Sequence, residues 1–202
     1  MRVTGIILAG GKSSRMGTNK ALLKIAGKTV IERIVETLDS VVDEWLVVTN
    51  TMEDYRFLQL PMVEDIYRDK GPLAGIHAGL TNTSTEKNII IACDMPFVSK
   101  NLAHLLLNEL KNTQAVVPEI DGQLHPLFAS YRKDMKDEVE RRILKEHLRI
   151  RDLLNNSHVK IVKEEDFLKL GYDINKSDFF NMNRPEEYRE AIDIDRETNS
   201  GN

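Results

Sequence analysis

The chain has 202 residues and a formal net charge of −4, from 28 Lys and Arg against 32 Asp and Glu. Hydrophobic residues make up 41% of it, which excludes global disorder, and the acidic balance argues against nonspecific nucleic-acid binding. The single cysteine, Cys93, cannot form an intrachain disulfide, and no apolar run approaches the ~20 residues of a membrane span. We therefore expect a cytoplasmic protein without a membrane partner.

Short apolar runs alternate with helical patterns along the first two-thirds of the chain. The apolar runs predict strands at 3–8, 45–48, 62–63, 89–92 and 115–117. The helical patterns predict helices over 29–39, over 72–80 with Pro72 in the first turn, and after Ser99 as far as Leu110. Strands that alternate with helices predict a doubly wound, mostly parallel α/β sheet.

The last third of the chain has a mixed pattern. Asp121-Gly122 predicts a hairpin, and a strand is expected near 127–131. Further elements are predicted as helices at 133–146 and 150–155, a strand at 159–162 and a final helix from Pro185. We expect one α/β domain over 1–191 with an added hairpin, followed by a frayed polar tail over 192–202.

A glycine-rich, basic segment over 8–20 follows the first predicted strand. Its glycines let backbone amides approach an anion closely, and Lys12, Arg15 and Lys20 add three positive charges. The segment is not a P-loop of pattern G-x-x-x-x-G-K-[ST], because Ile6 stands where the first glycine belongs, and its spacing does not fit G-x-G-x-x-G. We therefore predict a polyphosphate site in this segment.

A carboxylate, Asp94, follows the apolar strand predicted at 89–92. The carboxyl ends of parallel strands meet at one edge of a sheet, so we expect Asp94 near the glycine-rich segment. Mg²⁺ needs only one or two protein carboxylates when phosphates supply further oxygens. An Asx-type turn is the alternative role for Asp94, and the neighbouring phosphate segment favours the metal.

Together these residues resemble a known family. The segment 8–20 is similar to the signature of nucleotidyltransferases of the molybdenum cofactor guanylyltransferase type. Further segments agree with that family in order and spacing, at 63–65, 71–75, 93–97, 125–127 and 181–187. The resemblance extends to about residue 191 and implies a Rossmann-like nucleotidyltransferase fold. Gly10, where cytidylyl-transferring relatives usually carry Ala, favours guanine.

The resemblance also implies roles for particular residues. Lys20, Arg15 and Asp94 would be catalytic, and Asp94 would bind Mg²⁺. The residues implied in GTP binding are Leu8, Ala9, Gly10, Lys20, Asn50, Asp65 and Asp94, with Thr49 as the alternative to Asn50. Asn181 and Asn183 resemble positions near the molybdopterin. His125 either joins them or makes only a local hairpin hydrogen bond.

The implied reaction transfers GMP from GTP to the terminal phosphate of the molybdenum–molybdopterin cofactor and releases pyrophosphate. The implied partners are GTP, molybdenum–molybdopterin, and molybdoenzymes or other cofactor-biosynthesis proteins. Two alternatives stay open: a cytidylyl- or sugar-nucleotidyltransferase, and a noncatalytic GTP-binding adaptor that delivers the cofactor. The adaptor would not need the metal carboxylate at Asp94.

Overall fold

The computed structural model describes residues 2–10, 19–155 and 158–200, with side chains as far as 198. In these ranges the strands are β1 (Val3–Leu8), β2 (Lys24–Ile25), β3 (Lys28–Thr29), β4 (Glu44–Val48), β5 (Met62–Val63), β6 (Lys87–Ala92), β7 (Ala115–Ile120), β8 (Gln123–Leu124), β9 (Phe128–Arg132) and β10 (Val159–Lys163). The helices are α1 (Val30–Leu38), α2 (Pro72–Asn82), α3 (Lys100–Glu109), α4 (Met135–Leu144), α5 (Ile150–Leu154), α6 (Glu164–Lys169) and α7 (Pro185–Ser200). Short 3₁₀ turns lie at Lys20–Leu22, Met52–Leu58 and Lys176–Phe179.

One sheet carries the fold, with strand order β10-β7-β9-β6-β1-β4-β5 and β8 paired to β7. β1 pairs in parallel with β4 and β6, and β7 in parallel with β10. β9 is antiparallel to both of its neighbours, β6 and β7, and the predicted turn at Asp121-Gly122 joins β7 to β8 as a hairpin. The expected doubly wound, mostly parallel α/β fold is confirmed.

Successive side chains along a strand point to opposite faces of the sheet. Helices cover both faces, so the side chains on each of them are buried. On β1, Ile7 belongs to a buried cluster that includes residues of α1, α3, α6 and α7, whereas Ile6 belongs to a second cluster that includes residues of α2, α4 and α5. Ile6 and Ile7 are both completely buried. This two-sided burial explains why the central strands are continuous apolar runs in the sequence.

The C-terminal segment differs from the prediction. The backbone from 192 to 200 is helical instead of frayed as expected, because α7 continues to Ser200. Arg33 on α1 donates to the buried Asp195 carboxylate at 2.7 Å, and the Tyr188 hydroxyl donates to the Lys24 carbonyl oxygen at 2.8 Å. These contacts fasten α7 to the N-terminal part of the chain, while the domain boundary at residue 191 stays a prediction.

None of the helices in the described ranges has both the length and the apolarity needed to cross a membrane.

The sequence analysis did not predict α6 or the small β2–β3 hairpin. Both are short, and α6 begins with three acidic residues that resemble a solvated loop in sequence.

Candidate active site

The ends of four parallel strands define one edge of the sheet. Leu8, the last residue of β1, is in register with Val48 of β4 and Ala92 of β6, and Val48 is in register with Val63 of β5. The residues that follow these strands therefore share an edge, as expected for ligand sites in α/β sheets. They include most of the residues that the sequence analysis selected.

Lys20 and Asp94 come together at this edge. The Lys20 ammonium lies 3.5 Å from Asp94 Oδ2 and donates a 2.7 Å hydrogen bond to Asn183 Oδ1. The Lys20 and Asp94 side chains are only 17% and 18% exposed. Three segments separated by up to 163 residues thus place a cation, a carboxylate and an amide oxygen in one cluster.

Burial controls the electrostatics of Asp94. Desolvation raises the pKa of its carboxyl group, and the nearby Lys20 charge lowers it again without fully offsetting the burial. An additional positive charge beside the carboxylate would be favourable for the same reason that Lys20 is. The cluster is therefore suited to bind a cation together with the anionic groups that Lys20 can contact.

Asn50 and Asp65 form a reciprocal pair at the ends of β4 and β5. Asn50 Nδ2 donates to Asp65 Oδ2 at 2.8 Å, and the Asp65 backbone N–H donates to Asn50 Oδ1 at 3.1 Å. Thr49 is buried, and its hydroxyl accepts from the Thr51 backbone N–H at 3.1 Å. Of the two residues left open by the sequence, Asn50 is therefore the one whose side chain reaches the surface beside Asp65.

A hydrogen-bonded stem joins the two described ends of the glycine-rich segment. The buried Tyr55 hydroxyl donates to the Ala9 carbonyl oxygen at 3.3 Å and lies 3.0 Å from Asn19 Nδ2. Asn19 Oδ1 also accepts from the Ala21 backbone N–H at 3.2 Å, which caps the turn carrying Lys20. Arg15 and the rest of 11–18 lie outside the described residues.

The three residues assigned to the molybdopterin make different contacts in the structure. Asn183 contacts Lys20, whereas Asn181 is exposed and lies two residues earlier in the same loop. The half-buried His125 ring packs 4.5 Å from the Phe179 ring centre, and its backbone N–H donates to the Pro118 carbonyl oxygen. Burial lowers the pKa of His125, so its imidazole is biased toward the neutral form.

Three residues that support this site were not found from the sequence. Tyr55 and Asn19 hold the stem, and Glu187 accepts from backbone N–H groups beside Asn183. Glu187 lies in the segment 181–187 that agrees with the family, and it stands two residues after Pro185, where acidic side chains often cap a helix. For Tyr55 the sequence offers no signal, because its partners lie 36 and 46 residues away.

Comparison with known proteins defines the class. The MobA-like NTP transferase domain family matches residues 5–161, which include most of β1, Lys20 and Asp94. The doubly wound, mostly parallel sheet agrees with this match. The fold and the family match are those of a nucleotidyltransferase.

Two curated relatives share the name "Probable molybdenum cofactor guanylyltransferase". The relative from Natranaerobius thermophilus is 36% identical over 195 residues, 94% of each chain, and that from Bacillus cereus is 38% identical over 196 residues, 94% of this chain and 96% of its own. A solved structure, molybdopterin-guanine dinucleotide biosynthesis protein A from Archaeoglobus fulgidus, matches with a TM-score of 0.78 at 27% identity, covering 96% of this chain and 99% of that one. The chain belongs to the molybdenum cofactor guanylyltransferase family.

Proposed function

We propose that the chain transfers GMP from GTP to the terminal phosphate of the molybdenum–molybdopterin cofactor and releases pyrophosphate. The observation that carries the proposal is the cluster of Lys20, Asp94 and Asn183 at the edge where the nucleotide is expected. Family membership indicates which substrates to expect, since the named relatives are guanylyltransferases of this cofactor. We propose further that the reaction depends on Mg²⁺.

Backbone groups at the end of β1 would bind the nucleotide. Leu8 and Ala9 are buried, whereas Gly10 is exposed. No atom of the described residues lies within 4 Å of the place that a Cβ would take at Gly10. Packing within the described residues therefore does not require a glycine there, which fits close approach by a ligand instead. Asn50 and Asp65 would contact the guanine nucleotide from the neighbouring strands.

Lys20 would act on the phosphates. Its ammonium is fixed by the 2.7 Å hydrogen bond from Lys20 to Asn183, so little reorganisation is needed when negative charge develops on the α-phosphate and pyrophosphate. The cofactor's own phosphate oxygen would attack the α-phosphorus in line, and no protein nucleophile is needed. The protein's contribution would then be positioning and charge stabilisation. Arg15 would be a second phosphate contact.

The residues present fit a magnesium ion. Asp94 contributes a hard carboxylate oxygen of the kind that Mg²⁺ prefers. Its 3.5 Å contact with Lys20 is longer than a normal hydrogen bond, so the carboxylate can still bind a cation. None of the His, Cys, Asp and Glu side chains in the described ranges form a group of three that could hold a metal alone. This agrees with an ion that takes its remaining ligands from phosphates and water. Bound there, Mg²⁺ would neutralise charge on the transferred phosphoryl group.

The pterin half of the site would lie beside the loop that carries Asn181. We keep Asn181 and His125 as proposed molybdopterin contacts. For Asn183 the hydrogen bond to Lys20 supports a second role at the phosphates. Molybdoenzymes or other cofactor-biosynthesis proteins are proposed as the recipients of the product.

Pyrophosphate release tests the proposal. Purified protein with Mg²⁺ and molybdenum–molybdopterin should release pyrophosphate from GTP and not from CTP. Equal use of CTP would contradict the guanine assignment, and GTP binding without pyrophosphate release would favour the delivery adaptor. Asp94→Ala should abolish turnover. The control is Asp178→Asn, which changes another buried carboxyl group whose pKa burial also raises.

A further inference from the structure

The loop that presents Asn183 is held on both sides by hydrogen bonds to its backbone. On one side, the N–H of the buried Met182 donates to the Asp94 carbonyl oxygen at 3.0 Å. On the other side, Glu187 Oε2 accepts from the backbone N–H groups of Asn183 and Arg184, the latter at 2.9 Å. The backbone of Asn183 is therefore fixed relative to Asp94 and to the first turn of α7.

This fixed backbone determines where the Asn183 amide points. Its Oδ1 accepts from the Lys20 ammonium at 2.7 Å, while Asp94 Oδ2 is 3.5 Å from the same nitrogen. An amide oxygen is a neutral acceptor, so it binds the ammonium without neutralising its charge. Asn183 thus holds Lys20 at hydrogen-bond distance from itself, and it leaves Asp94 with only a long contact.

We propose that Glu187 is a positioning residue that acts through Asn183 on Lys20, and this rests on the phosphate role proposed above for Lys20. Without the Glu187 carboxylate, the backbone at Asn183 is released on one side and its amide loses a defined direction. The Lys20 ammonium then moves toward the Asp94 carboxylate, because the opposite charge is the strongest remaining acceptor. A contact ion pair there withdraws both groups from the substrate phosphates.

Three variants separate this role from simple helix capping. Glu187→Ala should lower kcat about 10–100-fold, the range seen when a residue that orients a functional ligand is removed. Glu187→Gln should restore most of the activity, because its amide oxygen can still accept from the two backbone N–H groups. Glu186→Ala is the matched control. It removes the same charge from the same first turn of α7 and leaves both hydrogen bonds in place, so it should match the wild type.

A double-mutant cycle supplies the decisive measurement. If Glu187 acts through Asn183, Glu187→Ala should have little further effect on kcat in an Asn183→Ala background. Equal effects in both backgrounds would show an independent structural role and overturn the proposal, as would a Glu187→Ala enzyme no slower than Glu186→Ala. Failure of the wild type to release pyrophosphate from GTP would instead contradict the proposed function itself.

Discussion

Replacing Lys20 with Met should destabilise the fold more at neutral pH than in acid. Met keeps the length of the apolar stem but leaves the buried Asp94 carboxylate without its cation. Coulomb's law with an effective dielectric constant of about 20 gives about 5 kcal/mol for the Lys20–Asp94 attraction at 3.5 Å. The substitution also removes the cost of burying the Lys20 charge, which offsets part of this lost attraction. We therefore expect the free energy of unfolding to fall by about 2–3 kcal/mol at neutral pH.

The pH dependence follows from the direction of the Asp94 shift. Burial raises the pKa of Asp94 above the value of an unfolded Asp, so the folded state holds the proton more tightly. Stability contributed by this group therefore falls as the pH rises from the unfolded pKa of about 3.9. Lys20→Met raises the pKa of Asp94 further, because the compensating charge is gone. Well below pH 3.9 Asp94 is protonated in the folded and the unfolded chain alike, and only the lost Asn183 hydrogen bond, about 1 kcal/mol, should remain.

Urea unfolding in magnesium-free buffer at both pH values measures this difference. Lys28→Met is the matched control, since Lys28 and Glu36 are closer together, at 2.6 Å, but both side chains are 55% exposed. Its loss should be below about 0.5 kcal/mol at either pH. An equal deficit for Lys20→Met at neutral and acidic pH would refute the assignment of the loss to the Asp94 charge. Lys20→Met should also lower kcat for pyrophosphate release about 10²–10³-fold.

Three further variants test the stem and the packing behind the site. Tyr55→Phe removes the hydroxyl that donates to the Ala9 carbonyl oxygen. The free energy of unfolding in urea should fall by about 1 kcal/mol, and the KM for GTP should rise. An unchanged KM would show that the stem does not contribute to nucleotide binding. Gly79→Ala would place a methyl group 2.6 Å from the Ile6 side chain and should cost about 1–3 kcal/mol in the same assay. Gly75→Ala, whose nearest contact is 3.3 Å, should cost less, and an equal cost would contradict the packing argument.

Local chemistry made the fold and the ends of the strands predictable. The apolar spacing over 29–39 predicted α1, which is found at Val30–Leu38, and Pro72 marked the start of α2. Asp94 could be placed at the site because an apolar strand precedes it and parallel strands share an edge. Such arguments use neighbours in the chain, and they succeed where neighbours decide the structure.

The contacts that complete the site depend on distant residues. Asn183 was assigned to the pterin by resemblance alone, and its hydrogen bond to Lys20 spans 163 residues. The polar composition after residue 192 favoured a frayed end, but Arg33 pairs with Asp195 across 162 residues and holds a helix there. No local pattern encodes either contact, so neither could be predicted from one sequence.

The span between Lys20 and Asn183 also affects when the protein can first work. At a synthesis rate of about 5–20 residues per second, 163 residues correspond to roughly 10–30 s between the emergence of the cation and of its amide partner. During that time the glycine-rich segment, Lys20 and the first strands are already made, but the cluster is incomplete. The growing chain therefore acquires the contact between Lys20 and Asn183 only after the loop before α7 has emerged and packs against the N-terminal half.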